Sequence, residues 1–308
     1  MPMTDTAIEA EGLVKRYGNA RTGKTALTGL DLTVERGEVF GFLGPNGAGK
    51  TTTIRLLLDL IRPTSGTLRV LGAVPRDNAE TRGRIGYLAG DFRIDGRQTG
   101  HEALTYLGDL RGGVPAARIA ELAERLDLDL TRRIGTLSKG NRQKVGVVQA
   151  FMHTPELLVL DEPTSGLDPF LQQRFVEMVQ EASAGGQTVF MSSHVMSEVQ
   201  QTCHRVGIIR EGRLVTVADV DALRSQARRK VEIVFAGSVD PAAFEALPQL
   251  QNVTVEQTAG GSVLHALLAG SPDGLVKAAA RYRVTSLLAE EPELEEIFFT
   301  FYERGDQK

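Results

Sequence analysis

Apolar residues along this chain recur first in short runs separated by helical stretches. Ala7–Tyr17 and Leu27–Val34 have the look of strands broken by glycine and polar turns. Glu38–Leu43 is a short apolar strand, followed by a glycine-rich loop and a helical stretch from about Lys50 to Leu60. The runs Leu157–Leu160, Thr188–Met191 and Val206–Ile209 have the length and character of strands buried on both faces. Strands alternating with helices from about Ile8 to Thr216 predict an α/β fold, with a mostly parallel sheet covered by helices. From Asp91 to Thr136 the period is helical, most clearly over Ala117–Leu126, which predicts a helical insert.

After about Ala227 the pattern changes. Lys230–Phe235, Val253–Gln257 and Ser262–Leu268 alternate as half-buried strands do, while Pro272–Arg281 and Glu293–Tyr302 have a helical period. The expected organisation is therefore a domain over 1–226, its helical insert spanning about 91–145, and a small α+β domain over 227–308. Charge supports the division. From Val231 onward there are 12 acidic and 5 basic residues, a balance of −7, against 27 acidic and 30 basic before it, a balance of +3.

The total of −4 gives no sign of a nucleic-acid binder. Cys203 is the single cysteine, which excludes an internal disulfide framework and a cysteine-based zinc site and fits a reducing compartment. The opening Met-Pro-Met-Thr-Asp-Thr lacks the basic-then-apolar order of a secretory signal. No segment approaches the ~18 apolar residues of a spanning helix, so any work at a membrane needs a partner that spans it.

Two stretches carry chemistry. Gly44, Pro45, Asn46, Gly47, Ala48, Gly49, Lys50, Thr51 and Thr52 fit G-x-x-x-x-G-K-[ST], with a strand before and a helix after. The glycines allow backbone N–H groups to turn inward onto phosphate oxygens. Lys50 brings charge to the terminal phosphates, and the Thr51 hydroxyl is a ligand for Mg²⁺. The alternative is a turn that only joins a strand to a helix. Further on, Leu157–Leu160 delivers Asp161 and Glu162 to the end of a buried strand. Asp161 is placed to hold Mg²⁺ through its water shell, and Glu162 to orient or deprotonate an attacking water. The alternative here is an acidic turn capping the next helix.

With these residues in order, the chain resembles the nucleotide-binding subunit of ATP-binding cassette (ABC) transporters over roughly residues 7–225, a P-loop NTPase with a mixed sheet core, an antiparallel β subdomain and a helical subdomain. The resemblance implies that Tyr17 stacks on adenine. It places Ser165-Gly-Leu-Asp168 as the loop after the base and makes His194, after Ser192-Ser193, a switch that contacts the γ-phosphate and Glu162. Leu137, Ser138, Lys139, Gly140 and Asn141 align with the family signature, commonly Leu-Ser-Gly-Gly-Gln. In the family this signature closes over the ATP of a partner cassette, and an N-cap by Ser138 is compatible with that role. Gly90 stands where the family has a metal-reaching Gln, and Asp91 is a candidate substitute.

The resemblance further implies an ATPase with ATP and Mg²⁺, working as a homodimer or with a paralogous cassette. It would sit at the cytoplasmic face of the membrane, on a permease subunit with about six spanning segments. The length, the α+β extension and the tail Glu291-Pro-Glu-Leu-Glu-Glu-Ile-Phe-Phe are similar to the ABC-2, daunorubicin-type drug exporters. A non-transport cassette acting on nucleic acid or the ribosome is the alternative. A simple P-loop kinase needs neither the signature nor the loop at Asp168.

Overall fold

The computed structural model describes residues 6–19, 23–226, 228–258 and 260–290. The expected helix Glu293–Tyr302 and the acidic tail from Glu291 lie outside them. The chain divides into two compact units, residues 1–218 and 219–308.

The first unit opens with strands β1 (Thr6–Tyr17), β2 (Lys24–Glu35) and β3 (Val39–Leu43), helix α1 (Lys50–Leu57) and strand β4 (Ser65–Val70). Helix α2 (Ala79–Gly83), strand β5 (Ile85–Leu88) and helices α3 (Gly100–Asp109), α4 (Ala116–Arg125) and α5 (Lys139–Phe151) follow. Then come β6 (Leu157–Asp161), α6 (Pro169–Ala184), β7 (Thr188–Ser193), α7 (Met196–Thr202), β8 (Arg205–Arg210) and β9 (Arg213–Asp219).

Six strands form one sheet in the order β5-β6-β7-β3-β8-β9, and β2-β1-β4 form a separate antiparallel sheet. Strands β3, β6 and β7 are buried at every position, as expected of parallel strands covered on both faces. Phe40 and Phe42 of β3 pack on Phe190 of β7, with ring centroids 6.0 and 5.3 Å apart. Parallel pairing sets Leu43 beside Ser193 and Asp161 beside Ser192, so the carboxyl ends of three neighbouring strands open at one place.

Two expectations need correction. Helix α1 stops at Leu57 rather than Leu60, because Asp59 adopts a left-handed backbone (φ 57°) and the chain turns there. The segment from Asp91 to Gln98 is not helical; its charged residues pair locally, Asp91 with Arg93 and Asp95 with Arg97. Ser138 then caps one helix, α5, that runs to Phe151, with Val145, Val147, Val148 and Phe151 buried.

The second unit holds helix α8 (Val220–Gln226), strand β10 (Arg229–Phe235), a single turn α9 (Ala242–Glu245), strands β11 (Leu250–Thr258) and β12 (Gly261–Leu268), helix α10 (Asp273–Ala279) and strand β13 (Val284–Glu290). Its antiparallel sheet has the order β11-β12-β10-β13. Val231, Ile233 and Phe235 of β10 join Phe244, Leu264 and Leu275 in a core of its own.

Candidate active site

The loop between β3 and α1 is shaped by glycine. Gly47 and Gly49 take left-handed backbones (φ 83° and 119°), which glycine adopts without steric cost. At Gly44 a methyl group would lie 2.3 Å from the Ile209 carbonyl oxygen, so β8 allows no side chain there. The loop closes on its lysine: Lys50 Nζ donates to the Gly44 and Pro45 carbonyls at 2.6 and 3.3 Å. Burial lowers the Lys50 pKa, against the raising influence of Glu162 and Asp161. A buried, partly desolvated ammonium at the start of a helix, behind a glycine-shaped loop, is a receptor for an anion.

Strands β6 and β7 supply the opposing wall. Thr51 Oγ1 donates to Asp161 Oδ2 at 3.2 Å, and Ser192 Oγ donates to Asp161 Oδ1 at 2.6 Å. Glu162, one residue past β6, has a left-handed backbone (φ 47°). Its Oε1 stands 3.7 Å from Lys50 Nζ and 3.3 Å from His194 Nδ1. Lys50 and His194, far apart in sequence, are therefore both brought to Glu162 Oε1. The donors of Thr51 and Asp161 are hard oxygens and fit a small divalent cation such as Mg²⁺.

A cleft of about 260 Å³ opens here, lined by Lys24, Ala26, Pro45, Asn46, Gly47, Gly49, Lys50, Thr51, Thr52 and Glu162. A larger cavity of about 520 Å³, between Leu56, Ile61 and Arg69, holds none of these groups. Tyr17, 37% exposed, ends the central strand of the antiparallel sheet with its hydroxyl 3.4 Å from Thr52 Oγ1. Lys15 Nζ lies 5.2 Å from the centroid of its ring. Lys24 pairs with Tyr17 across β1 and β2, and no spacing in the sequence announces its place at the cleft.

The stretch Leu137–Asn141 does not line this cleft. Ser138 caps α5, its Oγ accepting from Asn141 N–H at 3.2 Å. Gly140 packs against the loop that follows Glu162: a methyl there would lie 2.7 Å from the Gly166 carbonyl oxygen. The Lys139 side chain runs past Gly166 as well. Buried Gln143 donates to the Pro163 carbonyl at 3.3 Å, tying α5 to the same loop. Asp168 closes that loop by capping α6, accepting from Leu171 N–H at 3.1 Å.

At the position where the resemblance expects a Gln, Gly90 lies over Asp161, a methyl there being 3.2 Å from the Asp161 carbonyl oxygen. Asp91 is not brought to the site. Its side chain is 71% exposed and pairs with Arg93 at 2.6 Å, and that hydrogen bond lowers its pKa.

Comparison with known proteins places this geometry in context. The family described as "ABC transporter" matches residues 27–165. A bacitracin transport ATP-binding protein of Enterococcus faecalis is 34% identical, the match covering 83% of each chain. A daunorubicin resistance ATP-binding protein of Streptomyces coeruleorubidus is 38% identical over 82% of this chain and 81% of its own. A linearmycin resistance ATP-binding protein of Bacillus subtilis is 31% identical over 94% of this chain and 96% of its own. Among solved structures, the ATP-binding subunit of an ABC transporter superposes with a TM-score of 0.64 at 29% identity, covering 71% of this chain and 92% of that one. A dimeric cassette in a post-hydrolysis state with ADP and phosphate has a TM-score of 0.63 at 21% identity, covering 69% and 98%, and shares the fold.

Proposed function

The chain belongs to the ABC transporter family as an ATP-binding subunit, and from that premise we propose that it is the motor of an exporter, hydrolysing ATP to drive efflux of a drug, antibiotic or lipid-like molecule through a separate membrane subunit. The observation that carries this reading is the meeting of Lys50, Glu162 and His194 on one oxygen, Glu162 Oε1, beside the Thr51–Asp161 pair. The relatives named for bacitracin, daunorubicin and linearmycin support the drug class.

Backbone N–H groups of Gly44–Thr52 and the Lys50 ammonium bind the phosphates, and Tyr17 offers a face to the base. Glu162 accepts the proton of the attacking water, while His194, 3.3 Å away, orients the carboxylate and meets the γ-phosphate. Thr51 and Asp161 would hold Mg²⁺, which when bound would neutralise charge on the phosphates. Asp168 shapes the loop between the base and α6.

The cassette works as a pair, most simply two copies of this chain about a twofold axis. Each copy offers Leu137–Asn141 to the nucleotide of the other. Bound ATP adds a contact present only in the closed pair; hydrolysis removes it, and the pair opens. Among the described residues no helix is long and apolar enough to cross a membrane. The membrane path then belongs to a permease with about six spanning segments, on whose cytoplasmic side the cassette sits. The division into a cassette over 1–226 and an accessory α+β domain over 227–308 is part of the same proposal. Nothing at the site favours nucleic acid or the ribosome as the object of the switch.

Glu162→Gln tests this. The variant should bind ATP as the parent does, hydrolyse it at least 100-fold more slowly, and accumulate as an ATP-bound dimer in size-exclusion chromatography. Parent-like turnover, or a monomer in saturating ATP, refutes the assignment. Failure to co-purify with any membrane protein in detergent, together with tight nucleic-acid binding, would turn the function toward the alternative.

A further inference from the structure

We infer that Ser192 is a positioning residue that locks the Asp161 carboxylate for the metal and, through the same oxygen, holds the backbone of Glu162. Ser192 is fully buried in β7 and pairs with Asp161 across the parallel ladder. A hydroxyl carries one hydrogen and two lone pairs, and here both capacities are used inside the site. The hydrogen goes to Asp161 Oδ1 at 2.6 Å, and a lone pair accepts the Glu162 N–H at 3.2 Å. Asp161 Oδ2 is already taken by Thr51 Oγ1 at 3.2 Å. The carboxylate is thus gripped at each oxygen by a hydroxyl from a different element, α1 on one side and β7 on the other, and cannot rotate freely.

The second bond matters because of the conformation it supports. Glu162 is a non-glycine residue in the left-handed region, and such backbones persist where neighbours over-determine them. Ser192 contributes both its side-chain oxygen and its carbonyl, each 3.2 Å from Glu162 N. One hydroxyl therefore couples the aim of the metal-holding carboxylate to the aim of the base. Ser193, the next residue, faces the other way: its Oγ donates to Glu198 Oε2 at 2.8 Å and accepts from Val195 N–H at 2.9 Å. The two serines divide the work, and only Ser192 touches the site.

This assignment rests on Asp161 as the metal holder, and the experiment separates the two. With the full chain and saturating non-hydrolysable ATP analogue, Mn²⁺ affinity is measured by electron paramagnetic resonance for the parent, Asp161→Asn and Ser192→Ala. Binding of a fluorescent ATP analogue in EDTA is measured alongside. Ser192→Ala should weaken Mn²⁺ about tenfold, as loss of a partner to a metal ligand does, while metal-free nucleotide binding stays within about twofold. Ser192→Cys keeps an atom at the γ position, larger than oxygen and a poorer donor, and should also weaken Mn²⁺, which secures the test if the alanine variant does not fold. Equal weakening of metal-free and metal-dependent binding marks a merely structural serine and overturns the inference, as does unchanged Mn²⁺ affinity in both serine variants while Asp161→Asn loses it. If Asp161→Asn itself retains Mn²⁺, the metal assignment of Asp161 falls instead.

Discussion

A methyl group added at Gly140 makes a severe but local demand. Its carbon would stand 2.7 Å from the Gly166 carbonyl oxygen, whereas such contacts settle near ~3.3 Å, so one backbone must move by roughly 0.6 Å. The obstacle is main chain, and no side-chain rotation relieves it. Overpacking of this kind costs about 1–3 kcal/mol, and the exchange of glycine for alanine in a helix returns about 1 kcal/mol. The net cost is about 0–2 kcal/mol, which lowers Tm by at most about 8 °C for a domain of this size. The functional effect should be larger. The displaced loop runs from Glu162 to Asp168, and a misplacement approaching 1 Å near reacting groups can cost on the order of 100-fold in rate. Gly140→Ala should therefore melt within about 8 °C of the parent and bind nucleotide at Gly44–Thr52 within about twofold, yet lose roughly 10- to 100-fold in ATP turnover. Steady-state phosphate release, with calorimetry as the fold control, is the assay. Parent-level turnover in a folded Gly140→Ala protein would show that the contact between the two loops carries no catalytic weight.

Other expectations follow from individual groups. Asp91→Ala should leave Mg²⁺-dependent turnover unchanged, since the side chain faces solvent and Arg93; a shift in the Mg²⁺ midpoint would instead make Asp91 the substitute for the missing Gln. His153 is held to a pKa of about 4 by burial and then by Arg111, whose guanidinium lies 2.8 Å from its Nε2. Arg can only donate, so the native ring is neutral. The unfolded ring binds more protons below its ordinary 6.5, so stability is complete above that value and declines as pH falls toward 4. Urea midpoints between pH 7 and 5 should fall less for His153→Gln than for the parent, and equal slopes would refute this. The buried Cys203 thiol, pushed up to about 12 by desolvation, should resist iodoacetamide in the folded protein and react on unfolding. Stoichiometric labelling of native protein at pH 8 would contradict that burial.

What the chain reveals in order and what it conceals have a common physical origin. The glycine-rich loop and the pair Asp161-Glu162 are local: phosphate binding needs consecutive amides, and a strand end delivers consecutive side chains. Their candidates are visible as spacing. The grip of Ser192 on Asp161 and the contact of Gly140 with Gly166 join residues 31 and 26 positions apart. Only the register of β6 with β7, and the packing of α5 on the loop after β6, bring them together. Helix α1 shows the reverse error. Leu56 to Ile61 continues a helical pattern of apolar residues, yet the left-handed Asp59 ends it, because a backbone turn at one residue overrides periodicity. Strand β5 escapes notice for a related reason: Ile85–Leu88 is only four residues long and contains a glycine, and its pairing with β6 is what makes it a strand.

The cap at Ser138 has a consequence for timing. Its oxygen accepts the Asn141 N–H with a lone pair, which leaves the hydroxyl hydrogen uncommitted to that bond. The bond that starts the helix therefore also fixes the oxygen from which the hydrogen can be offered outward. In the proposed pair, a neighbouring copy bringing its nucleotide would find little conformational freedom left for this serine to lose, and recognition would proceed at the speed of encounter instead of waiting for a loop to find its shape.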